Sequence, residues 1–261
     1  MPEGDTIYRS ATRLRAVLEG KRVERFEAPR LGRHRSVAGS TVKAVEAKGK
    51  NLLIRFDNGL VLHTHMRMTG SWHTYQPGER WRKPPWFARV VMEVPGAVAV
   101  CFSAPVVELL DEQSEARHRG LAGLGPDLCT PDVDLDEALK RMNDPFYADL
   151  EIGEVLLDQR VACGVGNIYK SETLFACGVN PFTSVDRLDE PTRRHLLVVA
   201  SRLMRQNLGG ANVRTTYEGG VAVYGRARRA CRRCGMAVEM RYQGHDARST
   251  YWCPRCQPAL P

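Results

Sequence analysis

The sequence predicts an α+β chain of several parts: an N-terminal helix, an antiparallel β-sandwich, a helical region and a small cysteine-bearing tail. Three observations carry this. Apolar residues recur at helical intervals over residues 6–19, short alternating or wholly apolar runs fill residues 21–110, and helical periodicity returns between 134 and 207. At 261 residues the chain has room for two domains, or for one domain with appended modules.

In the first helix Ile7, Leu14 and Leu18 recur with Ala11 and Val17, and Gly20 closes it. The clearest strands are 42–45, 52–56, 60–63, 88–92 and the apolar run 97–102. Asp57-Asn58-Gly59 between two of them is a hairpin turn signal. About eight strands are expected, arranged as a sandwich. Residues 120–134 are rich in glycine and proline and read as an interdomain linker. Helices are expected at 134–142, 152–161, 167–176 and 189–207. The parts are therefore drawn as 1–119, a linker at 120–134, a helical domain at 135–220 and a tail at 221–261.

The net charge of +8 points to a polyanionic partner, and its distribution says more than its size. Between residues 225 and 261 eight arginines stand against Glu239 and Asp246. No apolar stretch reaches the length of a membrane span, and no charged-then-apolar leader opens the chain. A cytoplasmic protein is expected, in the nucleoid if its polyanionic partner is there.

Cys101, Cys129, Cys163 and Cys177 are scattered among apolar neighbours and read as reduced core thiols. The other four form two knuckles, Cys231-x2-Cys234 and Cys253-x2-Cys256, eighteen residues apart. That spacing suits one tetrahedral Zn2+ held by four thiolates. Such a site has no open position, so the metal is structural. A disulfide or redox pair is the rival reading. The arginines around the knuckles suit phosphate contacts, and a protein-binding zinc ribbon is the alternative.

Met1-Pro2-Glu3-Gly4 is either an inert start or a nucleophile. Removal of Met1 exposes the secondary amine of Pro2 beside a carboxylate. An α-amine titrates near 7.7–8 against about 10.4 for lysine, so roughly a third is neutral at pH 7.5. In 156–172 a Gly-x-Gly turn with Asn167 joins two helical patterns, and either merely links them or aims backbone amides at an anion. Lys48 and Lys50 flank Gly49 at a strand entry, where a lysine is solvated, guards the edge or serves function. His63 and His65 read as positions on a strand, since no nearby carboxylate cluster completes a metal site. Met68 is either core or an exposed apolar wedge.

Taken in order, these residues resemble the formamidopyrimidine-DNA glycosylase and endonuclease VIII family of base-excision repair enzymes. The match runs from Met-Pro-Glu-Gly through Lys48-Gly49-Lys50-x-Leu-Leu and Leu62-His63-x-His65-x-x-Met68-x-Gly70-x-Trp72 to Gly164-Val-Gly-Asn167-Ile-Tyr-Lys170-Ser-Glu172. Val223-Tyr-Gly-Arg226 and the four-cysteine finger with Arg248-Ser-Thr complete it. The resemblance implies a helix–two-turn–helix in the helical domain and a zinc finger at the end. It implies Pro2 as the Schiff-base nucleophile, Glu3 as proton donor and acceptor, and Lys50 as a phosphate contact supporting β,δ-elimination. It further implies that Arg67, Met68, Thr69, Asn167, Lys170 and Arg248 meet damaged double-stranded DNA, with the protein acting as a monomer.

Two departures bear on substrate. Asp5-Thr6 replaces the second Pro-Glu found in many members, and residues 103–118 hold no Arg-Arg-Phe-Gly-type run. Both place the chain nearer the endonuclease VIII-like (Nei-type) branch and favour oxidised pyrimidines over purines. Two other functions stay open: a zinc-ribbon nucleic-acid binder without catalysis, and an abasic-site lyase with little glycosylase activity.

Overall fold

Helix α1 (Gly4–Leu18) starts directly after Glu3, whose backbone is extended and whose carbonyl accepts from Thr6 and Ile7 at 2.9 and 3.2 Å. Asp5 in the first turn and Arg15 in the last complement the helix dipole. The computed structural model describes residues 2–31, 36–209 and 214–260, and the chain divides into two units, Met1–Gly123 and Leu124–Pro261.

In the first unit eight strands follow α1: β1 (Arg25–Glu27), β2 (Val42–Lys48), β3 (Asn51–Phe56), β4 (Val61–His65), β5 (Ser71–Tyr75), β6 (Ala88–Val94), β7 (Ala97–Phe102) and β8 (Val106–Leu110). They form two antiparallel sheets, ordered β1-β6-β7-β5 and β2-β3-β4-β8. Period-two patterning explains the core. Leu52, Ile54, Leu62 and Leu109 from one sheet meet Val90, Met92, Ala99 and Cys101 from the other, with Ile7, Ala11, Leu14 and Leu18 of α1. Each large side chain buried this way contributes about 1.5–3 kcal/mol.

The other face of the β2-β3-β4-β8 sheet is polar. Arg55 donates to both Glu115 oxygens at 2.8 Å and to Glu46 at 2.9 Å. Glu115 lies on a short helix, α2 (Glu112–Ala116), whose N-cap Asp111 accepts from Ser114 N–H at 2.8 Å. This ion pairing ties α2 to the sheet.

The second unit holds α3 (Leu135–Met142), α4 (Ile152–Val155), α5 (Asn167–Cys177), α6 (Glu190–Arg205) and a hairpin of β9 (Glu239–Gln243) and β10 (Arg248–Trp252). Asp189 caps α6 by accepting from Thr192 N–H, with a proline in the first turn. Gly178, at φ +71°, ends α5 in the left-handed conformation that costs glycine least. Residues 124–134 pack within this unit. Gly125 N–H donates to Gln159 O, Leu128 N–H to Cys163 O, and Ser201 Oγ to Leu128 O.

Helix α4 is shorter than the sequence pattern at 152–161 suggests. Asp158 accepts from Arg160 N–H at 2.9 Å, while Gln159 donates to Leu157 O and Val165 O and accepts from Gly164 N–H. These local side-chain bonds offer the backbone an alternative to the helix. They shape the turn that leads into α5.

Candidate DNA-processing site

Pro2 and Glu3 sit at the head of α1, which packs on β2 and β3, the strands flanking the Lys48–Gly49–Lys50–Asn51 turn. Pro2 is half-buried and Glu3 fully buried, and the Glu3 side chain does not cap its own helix. Met1 lies outside the described residues. Asp5, the first residue of the Asp5-Thr6 departure, is buried and engaged by Thr6 Oγ1 at 3.3 Å and Arg9 Nη2 at 3.4 Å.

Lys50 is half-buried, at the exit of a turn whose Gly49 has φ +58°. A side chain at position 49 would strain that turn. His65, paired in register with Asn51, feels the same lysine. Burial, then the charges of His63, Arg67 and Lys50, push the His65 imidazole down to about 4. His65 is therefore neutral at physiological pH and accepts from Arg67 N–H at 3.2 Å.

Between β4 and β5 the chain forms an exposed tip. Met68 is 65% exposed, so it is not a core methionine. Arg67 has φ +43°, and Thr69 Oγ1 donates to Ser103 O at 2.9 Å. Gly70 closes the tip because a Cβ there would lie 2.8 Å from the Met66 backbone. An apolar side chain on a pinned, strained turn suits insertion between bases.

The histidine pair is not just two positions on a strand. His63 Nδ1 lies 2.8 Å from Glu108 Oε2, and His118 Nε2 lies 2.9 Å from the same oxygen. The carboxylate missing from the local sequence comes from β8, directly opposite His63 in register. Sequence separation hid this cluster. Also unforeseen is a cavity of about 710 Å3 lined by Trp81, Arg82, Lys83, Trp86 and Arg89, with Trp86 73% exposed.

In the second unit Asn167 opens α5. Its Nδ2 donates to Ser249 O at 2.6 Å and Ser249 Oγ at 3.0 Å, while its buried Oδ1 has no hydrogen-bond partner among the described residues. This places Asn167 beside Arg248, which is exposed at the start of β10 with Asp246 at 3.1 Å. Lys170 differs from expectation. It is fully buried, and its Nζ donates to Thr250 Oγ1 at 2.5 Å. Thr250 in turn donates to Gln243 Oε1, and Gln243 to Glu151 and Pro181 O. The lysine fastens α5 to the hairpin rather than standing exposed for a phosphate.

Two quoted motifs meet at Glu172. Its buried carboxylate accepts from the N–H groups of Ala222, Val223 and Tyr224 at 2.7–2.9 Å and from Thr216 Oγ1 at 2.5 Å. Spacing along the chain gave no hint of this contact.

The sulfurs of Cys231, Cys234, Cys253 and Cys256 lie within 4.8 Å of one another, with Cys231–Cys256 at 3.9 Å and Cys234–Cys253 at 3.5 Å. A Zn–S bond of about 2.3 Å sets tetrahedral edges near 3.8 Å, so the four ligands fit. The Met236 backbone N–H pulls Cys234 down to about 7, whereas burial pushes Cys256 up to about 12. A bound zinc would favour thiolate at all four and hold the knuckles together.

Comparison with known proteins accounts for this assembly. The chain matches the Formamidopyrimidine-DNA glycosylase N-terminal domain over residues 1–105, the H2TH domain of the same enzymes over 124–217, and the zinc finger found in FPG and IleRS over 230–259. It is 41% identical to "Probable endonuclease 8 2" of Streptomyces coelicolor, over 98% of this chain and 94% of that protein. The chain belongs to the formamidopyrimidine-DNA glycosylase/endonuclease VIII family. Another member, "DNA-(apurinic or apyrimidinic site) lyase Nei2" of Mycolicibacterium smegmatis, is 37% identical over 99% of this chain and all of that one. In fold the protein matches Lactococcus lactis Fpg, solved with abasic-site DNA, at a TM-score of 0.81 and 21% identity, covering 98% of this chain and all of that one. Like other members it carries a four-cysteine zinc finger. Among the described residues no helix is long and apolar enough to cross a membrane.

Proposed function

We propose that this protein is a bifunctional DNA glycosylase and abasic-site lyase of base-excision repair, with Pro2 as its nucleophile. The observation that carries the reading is the Pro2–Glu3 head of α1, a secondary amine beside a fully buried carboxylate, in a chain of this family. Damaged double-stranded DNA is the partner, met by a monomer in the cytoplasm. The parts divide as 1–119, a linker at 120–134, a helix–two-turn–helix domain at 135–220 and the finger at 221–261.

The damaged base first leaves the stack, at a cost of a few kcal/mol, and Met68 with Arg67 and Thr69 fills the vacancy. The neutral Pro2 amine attacks C1′, and the glycosidic bond breaks with its electron pair and a proton leaving on the base. Glu3 passes a proton to the ring oxygen, which opens the sugar and leaves an iminium at C1′. Loss of the C2′ proton expels the 3′ phosphate; loss of a further proton then expels the 5′ phosphate. Water hydrolyses the iminium and restores the amine. Lys50 stabilises the departing phosphate, while Asn167 and Arg248 hold flanking phosphates. Zinc supplies structure to the finger and takes no part in the chemistry.

Oxidised pyrimidines are the substrate class favoured by the missing Arg-Arg-Phe-Gly run and by Asp5-Thr6. A second reading, abasic-site lyase with little glycosylase activity, is favoured by the name of the Mycolicibacterium smegmatis relative. Borohydride trapping separates them, using mass-verified protein lacking Met1. An adduct on thymine-glycol and abasic DNA, lost in Pro2→Gly, supports the bifunctional enzyme. Trapping on abasic DNA alone leaves the lyase. Tight DNA binding with no adduct leaves a zinc-ribbon binder and overturns both.

A further inference from the structure

The buried His63 ring faces an acceptor at each nitrogen. Glu108 Oε2 lies 2.8 Å from Nδ1, and Asn51 Oδ1 lies 2.9 Å from Nε2. The Asn51 amide is oriented from its far side, because its Nδ2 donates to Lys48 O at 3.2 Å. A neutral imidazole has one N–H and one lone pair, so it can satisfy only one of these acceptors.

The neighbouring histidine completes the pattern. His118 Nδ1 accepts from Gly120 N–H at 3.1 Å, which leaves its proton on Nε2 to donate to Glu108 at 2.9 Å. The three side chains are close enough to hold a metal ion. Yet the bond from Gly120 puts a proton on the nitrogen that a metal would need as a lone pair. The cluster is built for protons.

We infer that His63 is a proton-dependent positioning residue: its imidazolium, held between Glu108 and Asn51, locks the Lys48–Asn51 turn and so sets Lys50 for elimination. This rests on the proposed role of Lys50. When His63 loses its proton, the remaining N–H stays on the Glu108 carboxylate. Asn51 must then turn its amide to offer Nδ2 to the ring, and the bond to Lys48 O is given up. Since Gly49 already holds a left-handed conformation, the change passes to the backbone that carries Lys50.

Charged groups on every side bear on this proton. Glu108 comes from β8; Glu115 and His118 come from α2 and the segment after it, and His65 from the same strand. Arg55 of β3 is taken up by Glu46 and Glu115. Burial pushes His63 below its ordinary 6.5 and outweighs the pull of Glu108, so the switch falls on the acid side of neutrality. Burial also opposes ionisation of Glu108, but the two imidazoles overcome it and hold its carboxyl below the usual range.

Glu108→Gln and Asn51→Asp test this in opposite directions. The first removes the anion that holds the imidazolium, and the second adds one at the other nitrogen. Imidazole 15N NMR of the full chain should show His63 titrating lower in Glu108→Gln and higher in Asn51→Asp, by about one pH unit each. Single-turnover strand cleavage of abasic DNA should show one limb of its pH profile moving with those shifts, while the Pro2 amine limb stays in place. Profiles that only scale by a constant, or keep the wild-type limb, would reduce the network to a fastener and overturn the inference. So would two metal ions per chain by elemental analysis, where the finger accounts for one. Loss of borohydride trapping in the wild type would instead sink the role of Pro2, with the NMR shifts still readable.

Discussion

The two units each bury a polar network, and the networks behave differently. In the first, His63, Glu108 and His118 meet on a sheet face, with His65 next to them, and burial moves the imidazoles of His63 and His65 to the acid side of their ordinary value. In the second, Glu172 accepts from three backbone N–H groups, while Lys170, Thr250, Gln243 and Glu151 form a chain. That network is built of carboxylate, amide, hydroxyl and lysine side chains, with no imidazole in it. One network is responsive and the other is a set of rivets. Their positions suit their tasks, since the first adjoins the proposed chemistry and the second fastens a hairpin that has little apolar core of its own.

The largest effect should come from zinc removal. The finger's apolar cluster is small, comprising Phe175, Ala222, Val223, Val238 and the buried sulfurs of Cys231 and Cys253. Structural zinc contributes on the order of 10 kcal/mol to such folds. Hydrogen exchange on chelated protein should show β9 and β10 losing protection while β3, β4 and β7 keep theirs. Next is Glu172→Ala, expected to destabilise the second unit by about 3–5 kcal/mol because it strands buried N–H donors. Urea unfolding at pH 6 and pH 8 should give the same loss, and a strong pH dependence would break the contrast between the networks.

Acid sharpens the contrast from the other side. His65 falls to about 4 in the fold against an ordinary 6.5, so the folded state favours its neutral form. The stability it contributes is complete above about 6.5 and is lost as pH falls from there towards 4. Exchange measured across that window should weaken the first unit more than the second. Arg248→Ala should weaken DNA binding by about 1 kcal/mol and lower the salt slope by about one. Lys170→Met should leave DNA affinity unchanged, because Nζ is spent on Thr250. A drop comparable to that of Arg248→Ala would put Lys170 back at the DNA.

Much of the fold was legible in sequence because its signals are local. Alternation marked the strands, the Asp57-Asn58-Gly59 turn joined two of them, and Cys-x2-Cys knuckles carry their geometry in their spacing. The helix at 152–161 was overread because apolar spacing says nothing about Asp158 and Gln159 bonding their own backbone. The burial of Lys170 was hidden for a related reason. Helix α5 is buried almost all round, so no polar stripe reveals which face is solvated. The His63 cluster depends on β4–β8 register across forty-five residues, which no local pattern encodes.

The sulfurs of the finger carry a last consequence. Cys234 and Cys256 remain partly exposed, and thiolates are the form of cysteine that oxidants attack. Oxidation of that pair would release the metal, unfasten the hairpin that presents Arg248, and leave the amine end of the protein intact. On the proposed function, the protein would then lose part of its hold on DNA under the oxidative stress that creates its substrate.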